Sequence, residues 1–286
     1  MTGILATVIL YNPSHEVLTN LKTYAPFVDH LLIVDNSESP HDVLRLIRQD
    51  FPTSYHISNS ENLGIAKALN QSALYGIENN FRWLLTMDQD SKFEEGSFLK
   101  LINHKNSIGQ VGIYTPVHLN KDSTKKWMEK EWTIVKKTMT SGNLLNLEAF
   151  IQCGSFEEKL FIDYVDHEYN LRLQKNGFKI VRINHSFLLH NLGDINSYRL
   201  GFISMKTTNH NELRRYYITR NRFFVIFKYF SFAPKFFFKE IREFWKSSWR
   251  ILLLEKNKIQ KFKAIISGTW DWMTNQYGKR NGFNSK

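Results

Sequence analysis

The sequence predicts an α/β fold: a mostly parallel, twisted sheet with helices on both faces. Short apolar runs alternate with amphipathic helical stretches four times in about the first 90 residues, the pattern of βα units. The runs are almost wholly apolar rather than alternating, as strands covered on both faces are. Each run also ends in polar residues, and such sheets bind ligands outside the carboxyl ends of their strands.

Residues 4–10 (ILATVIL) read as a buried strand, β-branched and uncharged. Tyr11-Asn12-Pro13 ends it, because the residue before a proline is pushed away from helix. Ser14 is placed to cap a helix over 16–24. A second strand, 31–34, closes on Asp35-Asn36-Ser37. A helix over 42–49 puts Val43, Leu46 and Ile47 on one face, and a third strand, 55–57, runs toward Asn59-Ser60. Asn62-Leu63-Gly64 turns into a helix over 65–79, where Ile65, Leu69, Ala73 and Ile77 recur at every fourth position. The next strand, 83–87, stops at Asp88-Gln89-Asp90-Ser91.

A helix over 96–103 and a strand over 111–116, ending at its proline, come next. Residues 121–137 are polar and charged, a loop or hairpin. Met139-Thr140-Ser141-Gly142-Asn143 precedes an apolar segment, 144–150. Residues 163–176 read as a helix with Asp163 as N-cap, Gly177 just past the end, and Val165, Tyr169 and Leu173 as its inward stripe. Strands follow at 178–183 and 186–190, and His190 leads into Asn191-Leu192-Gly193-Asp194. From Asn211 the pattern is helical to about Phe230. It breaks at Ala233-Pro234 and resumes over 236–255 and 259–273. Residues 275–286 are polar and read as a frayed end.

An apolar fraction of 42% supports a real core, and one cysteine, Cys153, excludes an internal disulfide and any all-cysteine metal site. Cys153 reads as a small core residue, and a reducing compartment is the simpler expectation. No signal peptide and no run long enough to span a bilayer is visible, so the protein is expected in the cytoplasm, at most peripheral to a membrane. The net charge of +11 is uneven: residues 206–286 hold 18 Lys+Arg against 5 Asp+Glu, hence +13, leaving 20 against 22 before them. That basic tail is also rich in Phe and Trp, which suggests an anionic partner, a membrane surface or nucleic acid.

Asp88 and Asp90 are the focus of the chain. In an extended backbone residues i and i+2 point the same way. Two carboxylates so placed repel unless a cation lies near, and hard divalent cations take carboxylate oxygen. The competing reading is a turn with Asp and Ser as local hydrogen-bonders. Polar clusters at Tyr11-Asn12, Asp35-Asn36-Ser37, Asn62-Gly64 and Asp88-Asp90 share one rim, which favours a site. Asp166, in a first helical turn, serves either the helix dipole or as a base pointing into a cleft. A lone histidine such as His190 is more often structural than a ligand.

These residues together resemble the family-2 glycosyltransferases, in particular their bacterial rhamnosyltransferase-like branch, from about residue 4 to 224. Y-N-P follows the first strand and D-N-S the second. N-L-G-I-A-K-A-L-N opens the helix before the acidic strand, L-T-M-D-Q-D-S matches that branch's signature, and F-I-D-Y-V-D-H-E-Y-N-L-R its acceptor-base segment. H-N-L-G and R-R-Y-Y-I-T-R-N match later motifs. The resemblance implies a GT-A fold, an inverting mechanism, a nucleotide-diphosphate-sugar donor and a Mg2+ or Mn2+ cofactor. It implies metal ligands at Asp90, Asp88 and His190, with Asp88 also near the sugar or ribose, and a general base at Asp166. Donor contacts fall at Tyr11, Asp35, Asn62, Gly64 and Lys67, and acceptor-side residues at Gly142, Asn143 and Glu168.

The chain departs from many members of that family in having Val165-Asp166 where they have Glu-Asp, and in ending its first strand Ile9-Leu10-Tyr11 where a hydroxyl residue is common. The second departure leaves dTDP and UDP both open. Rhamnose is the donor sugar the resemblance implies; galactofuranose and glucose stay open. The acceptor it suggests is a polyprenyl-diphosphate-linked saccharide of O-antigen, capsule or wall assembly. Residues 1–225 are expected to form the transferase domain and 226–286 a basic, aromatic-rich helical extension. That extension either packs onto the domain or docks on an inner-membrane surface. A nucleic-acid-binding protein fits the tail but not the acidic rim. A nucleotidyltransferase wants a Gly-rich basic loop where Tyr11-Asn12-Pro13-Ser14 stands.

Overall fold

The computed structural model describes residues 1–105, 108–120, 128–190, 196–200, 203–207 and 209–280. The chain divides into two compact units, Met1–Glu157 with Tyr169–Asn191, and Glu158–Glu168 with Leu192–Lys286.

The first unit begins with β1 (Thr2–Leu10), α1 (Glu16–Leu21), β2 (His30–Asp35), α2 (Val43–Asp50), β3 (Tyr55–Ser58), α3 (Ile65–Glu78) and β4 (Phe81–Asp88). These are the expected βα units, and β3-β2-β1-β4 pair in parallel. The unit continues with β5 (Ser91–Phe93), α4 (Ser97–Asn103), β6 (Val111–Leu119), β7 (Trp132–Val135), β8 (Asn143–Asn146) and α5 (Leu147–Cys153). The part of helix α6 (Val165–Lys175) from Tyr169 on, and β9 (Lys179–His190), complete it. The sheet runs β3-β2-β1-β4-β8-β6-β9-β5, with β7 also on β9. Strand β8 is antiparallel to both β4 and β6, and β5 and β7 are antiparallel to β9.

Leu5, Val8, Leu32, Ile33, Leu84 and Leu85 are wholly buried. The strands read as continuous apolar runs because both faces are covered. Each such side chain contributes about 1.5–3 kcal/mol on burial, which fixes the strand ends and so the rim that carries the polar clusters.

Some local expectations are corrected. Ser14 does not cap α1: His15 takes that position and makes no side-chain cap bond. Strand β6 runs through Pro116, where its pairing with β9 shifts register, since a proline without an N–H is tolerated at a bulge. The expected strands at 178–183 and 186–190 are one strand, β9. The apolar segment 144–150 splits into β8 and α5, because the Asn146 side chain accepts from the Glu148 and Ala149 amides and starts a helix there. Cys153 is half-buried, and burial pushes its thiol above the ordinary value.

The second unit holds a β-hairpin, β10 (Asn196–Leu200) with β11 (Ile203–Thr207), and three helices, α7 (Glu212–Lys228), α8 (Pro234–Leu254) and α9 (Lys258–Met273). The helices match the expected ones, with Pro234 in the first turn of α8, where its missing N–H costs nothing. The hairpin was not expected. The expected boundary at 225/226 lies inside α7. Phe161, Tyr216, Tyr217 and Ala264 form a core. Helix α9 crosses α7 closely at Gly268, where a Cβ would stand 2.6 Å from the Tyr216 carbonyl oxygen.

Two buried glutamates in this unit are each paired. Glu255 takes Arg215 at 2.6 Å and Lys261 at 2.9 Å, and Glu240 takes the Tyr164 hydroxyl at 2.5 Å and Arg222 at 3.3 Å. No helix among the described residues is long and apolar enough to cross a membrane. The N-L-G that follows His190, Asp194, residues 121–127 and the end of the chain after Arg280 lie outside the described residues.

Candidate active site

Strand β4 ends at Asp88, the chain turns through Gln89 and Asp90, and β5 begins at Ser91. A turn, rather than an extended strand, is therefore what places the two carboxylates. Strand β5 lies antiparallel on β9 with Ser91 opposite His190, so backbone pairing delivers a distant histidine to the acidic turn. The buried Ser91 hydroxyl lies 2.6 Å from His190 Nδ1 and fixes the ring, and Asp90 Oδ1 lies 3.6 Å from the same nitrogen.

Asp88, Asp90 and His190, all half-buried, each offer one ligand atom within 4.8 Å of the others. Two carboxylate oxygens and an imidazole nitrogen at that spacing fit a Mg2+ or Mn2+ ion. Asp88 also acts on Tyr24: burial pushes that phenol far above its ordinary value, and the nearby carboxylate adds to it.

The turn is braced from two sides. Gln89 clamps the end of β1: its Oε1 accepts from the Tyr11 amide at 2.9 Å, and its Nε2 donates to the Tyr11 carbonyl at 3.2 Å. Asn20, buried in α1, donates to the Gln89 carbonyl at 2.9 Å. The Tyr11 ring is left 42% exposed at the rim. Behind the turn, the Asp88 amide donates to the buried Ser141 hydroxyl at 3.1 Å and the Gly142 amide to the Thr86 carbonyl at 2.7 Å. Asn143 is buried, donates to the Met139 carbonyl at 2.6 Å and accepts from the Thr138 hydroxyl at 3.2 Å. Gly142 and Asn143, expected on the acceptor side, are seen here bracing β4.

Along the same rim, the buried Asp35 carboxylate accepts from the Ser37 amide at 2.9 Å and meets His41 Nε2 at 3.1 Å. Asn36 Nδ2 donates to the Gly64 carbonyl at 3.3 Å, and the Gly64 amide to Asn62 Oδ1 at 3.0 Å. Gly64 has φ +85° and ψ 164°, a conformation essentially confined to glycine, and it starts α3, with Lys67 exposed in the first turn. Tyr11, Asp35, Asn62, Gly64, Asp88 and Asp90 thus stand at the ends of neighbouring strands or in the loops that follow them. Gln89, Asn20, His41 and Ser91 were not singled out from sequence; only the D-Q-D-S signature carried a signal for two of them.

Asp166 and Glu168 belong to the second unit. Asp163 does not cap their helix. It has φ +61° and Tyr164 φ +66°, unusual for non-glycine residues. One buried side chain holds this backbone: Asn221 Nδ2 donates to the carbonyls of Leu160 at 2.7 Å, Ile162 at 2.7 Å and Asp163 at 3.0 Å. Asp163 itself pairs with Arg214 at 3.3 Å, and burial pushes its carboxyl above the usual range.

Glu168 is wholly buried, with Lys228 at 2.9 Å and the Tyr229 hydroxyl at 2.8 Å. These contacts anchor the first turn of α6. Asp166, half-buried, accepts from the His167 amide at 2.7 Å. Among the described residues no ion pair is seen on Asp166, whereas Asp163 and Glu168 each have one.

Comparison with known proteins bears on family and fold. The chain is 28% identical, over 294 aligned positions covering 94% of it and 95% of the relative, to the dTDP-rhamnosyl transferase RfbF of Shigella flexneri. A mannosyltransferase of Pyrobaculum calidifontis, solved with GDP-Man and Mn2+, superposes at TM-score 0.59 with 12% identity over 96% of this chain and 88% of that one. GalNAc-T7, solved with UDP, GalNAc and Mn2+, superposes at TM-score 0.54 with 12% identity over 69% of this chain; the match spans 43% of GalNAc-T7. Both likenesses are of fold, the GT-A architecture. The model of glycosyl transferase family 2 matches residues 11–157, from the clamped Tyr11 through the acidic turn to the end of the first unit's main segment, and the chain is a glycosyltransferase belonging to that family.

Proposed function

We propose that this enzyme moves L-rhamnose from dTDP-rhamnose, with inversion, to a growing polyprenyl-diphosphate-linked saccharide of O-antigen, capsule or wall polysaccharide. The observation that carries the reading is the Asp88–Asp90–His190 cluster at the rim; the sugar and nucleotide follow the name of the Shigella relative. Asp90, Asp88 and His190 would hold a divalent cation, which would supply charge stabilisation for a diphosphate leaving group. Asp166 accepts the proton of the acceptor hydroxyl as that oxygen attacks the anomeric carbon opposite the leaving group.

Tyr11 offers its exposed ring to the nucleobase. Asp35 acts on the nucleotide through the loop it holds with Ser37 and His41. Asn62, Gly64 and Lys67 line the donor side. Gly142 and Asn143 serve the acceptor side by fixing β4, and Glu168 by fixing α6. The reaction belongs to the cytoplasm, with sugar donor and lipid-linked acceptor as partners and no nucleic acid.

The test is a screen of dTDP-rhamnose, UDP-galactofuranose and UDP-glucose for slow hydrolysis with Mn2+ or Mg2+. Turnover of dTDP-rhamnose that stops on chelation is expected. Turnover of a UDP-sugar alone would replace the donor, and turnover indifferent to chelation would remove the cation.

A further inference from the structure

We propose that α8 and α9 together form a docking face for an anionic lipid bilayer. The proposal stands apart from the catalytic reading, because its residues lie outside the site described above. Between the two helices runs an apolar groove of about 470 Å³, lined among others by Trp245, Trp249, Leu252, Ile266, Trp270 and Met273. Of these, Trp245, Trp249, Ile266, Trp270 and Met273 are 60–66% exposed. A concentration of large apolar side chains in contact with solvent marks an interaction surface.

The chemistry of the groove narrows the partner. Its two hydroxyls are turned back on their own helices: Ser248 donates to the Phe244 carbonyl at 3.0 Å and Thr269 to the Ile265 carbonyl at 2.9 Å. The groove thus offers hydrocarbon and indole, and nothing to orient a polar ligand. Tryptophan suits the level where acyl chains meet headgroups, having an apolar body and a polar N–H.

Charge selects the kind of surface. Lys235, Lys239, Arg242, Lys246 and Arg250 recur every three or four residues along α8 and so share one side of it. The first four are exposed. The acids of α8 do not cancel them: Glu240 is buried on Tyr164 and Arg222, and Glu243 is one charge among five, 3.6 Å from Lys246 and 3.9 Å from Arg242. Lys256, Lys258 and Lys263 add exposed charge on and before α9. A basic stripe beside an aromatic ridge fits anionic headgroups above acyl chains. A second copy of the chain is opposed by the same charge, because residues 206–286 carry +13 from 18 Lys+Arg and 5 Asp+Glu.

The full chain is to be floated with vesicles of phosphatidylcholine alone and of phosphatidylcholine with phosphatidylglycerol. Wild type should float with the anionic vesicles only and be released by high salt. Trp249→Ala with Trp270→Ala, and separately Lys239→Gln with Arg242→Gln and Lys246→Gln, should each lower the partition coefficient at least about tenfold. The charge variant touches no buried group, so it decides the matter even where the Trp pair unfolds. Unchanged donor hydrolysis in that variant separates failure of docking from failure of the catalytic reading. Equal flotation of wild type and charge variant, or equal binding to both vesicle types, would overturn the proposal. So would a dimer in sedimentation equilibrium that the Trp variant abolishes, which would make the face a contact between copies.

Discussion

In the first unit Asp88, Asp90 and His190 stand half-buried at the rim, the turn braced through the Asp88 amide on Ser141 and the histidine ring through the Ser91 hydroxyl. In the second unit Glu168, Glu240 and Glu255 are buried and committed to lysine, arginine and tyrosine partners. The contrast separates two uses of a carboxylate. One stands open to solvent at a rim, with a second carboxylate and an imidazole beside it. The other is consumed in holding helices together, where loss of one partner strands a buried charge. Asp166 is instructive because it sits among structural acids, yet among the described residues it shows no ion pair.

Substitutions should therefore sort by which property they damage. Asp90→Ala should lower cation-dependent donor turnover at least about a hundredfold, while stability changes by no more than about 0.5 kcal/mol. Asp166→Asn should keep donor binding, read by calorimetry, and lose about 10²- to 10⁴-fold in transfer. A loss of melting temperature with Asp90→Ala, or full transfer by Asp166→Asn, would erase the distinction. Glu168→Gln should do the reverse of Asp90→Ala. It leaves Lys228 and Tyr229 facing a neutral amide, and should cost about 3 kcal/mol in urea unfolding, with the donor's affinity unchanged.

Asn221→Ala tests the middle ground. Three carbonyls of the 160–163 stretch lose a common donor; Leu160 keeps the Ile162 amide and Arg220, while an orphaned Ile162 or Asp163 carbonyl costs about 1 kcal/mol or more. Because that stretch feeds directly into the first turn of α6, transfer should fall further than donor hydrolysis does. Equal falls in both would mean that Asn221 merely holds the unit together.

Much of this was legible in the sequence, for reasons that differ by region. Strands β1 to β4 declare themselves because burial on both faces forces continuous apolar runs, and the rim follows from where those runs stop. The three C-terminal helices show through their periodicity and Pro234. What did not show is long-range pairing. Nothing local to Ser91 or His190 says that β5 and β9 lie side by side, and the antiparallel placing of β8 between β4 and β6 is equally non-local. Asp163 misled because Asp at the head of a helical pattern usually caps it. Here its backbone adopts a left-handed conformation that Asn221 imposes from 58 residues away. Glu168 and Asp166 are alike in sequence context, and only tertiary partners tell the buried anchor from the free carboxylate.

The smallest effect is a pH dependence confined to the second unit. His210 is pulled down to about 4, first by burial and then by Arg214 and Arg215, with Lys261 adding to the pull and Glu255 opposing it. In the unfolded chain a histidine titrates near 6.5. Above that value both states are neutral and stability is unaffected. As pH falls from there toward 4 the unfolded chain takes up a proton that the folded one refuses, so stability is progressively lost. Asp163 acts with the opposite sign, because burial raises its carboxyl: the folded state holds that proton to higher pH, and stability falls as pH rises through the shifted range. His210→Asn should therefore flatten the decline in melting temperature on the acid side, whereas Asp163→Asn should steepen it. Asparagine also suits the left-handed backbone at that position, so the second variant is expected to fold. Melting curves taken across the acid range should show the two slopes moving in opposite directions. Parallel movement would mean that the buried ion pairs around Glu255 and Glu240, rather than these two groups, set the acid limit of the unit.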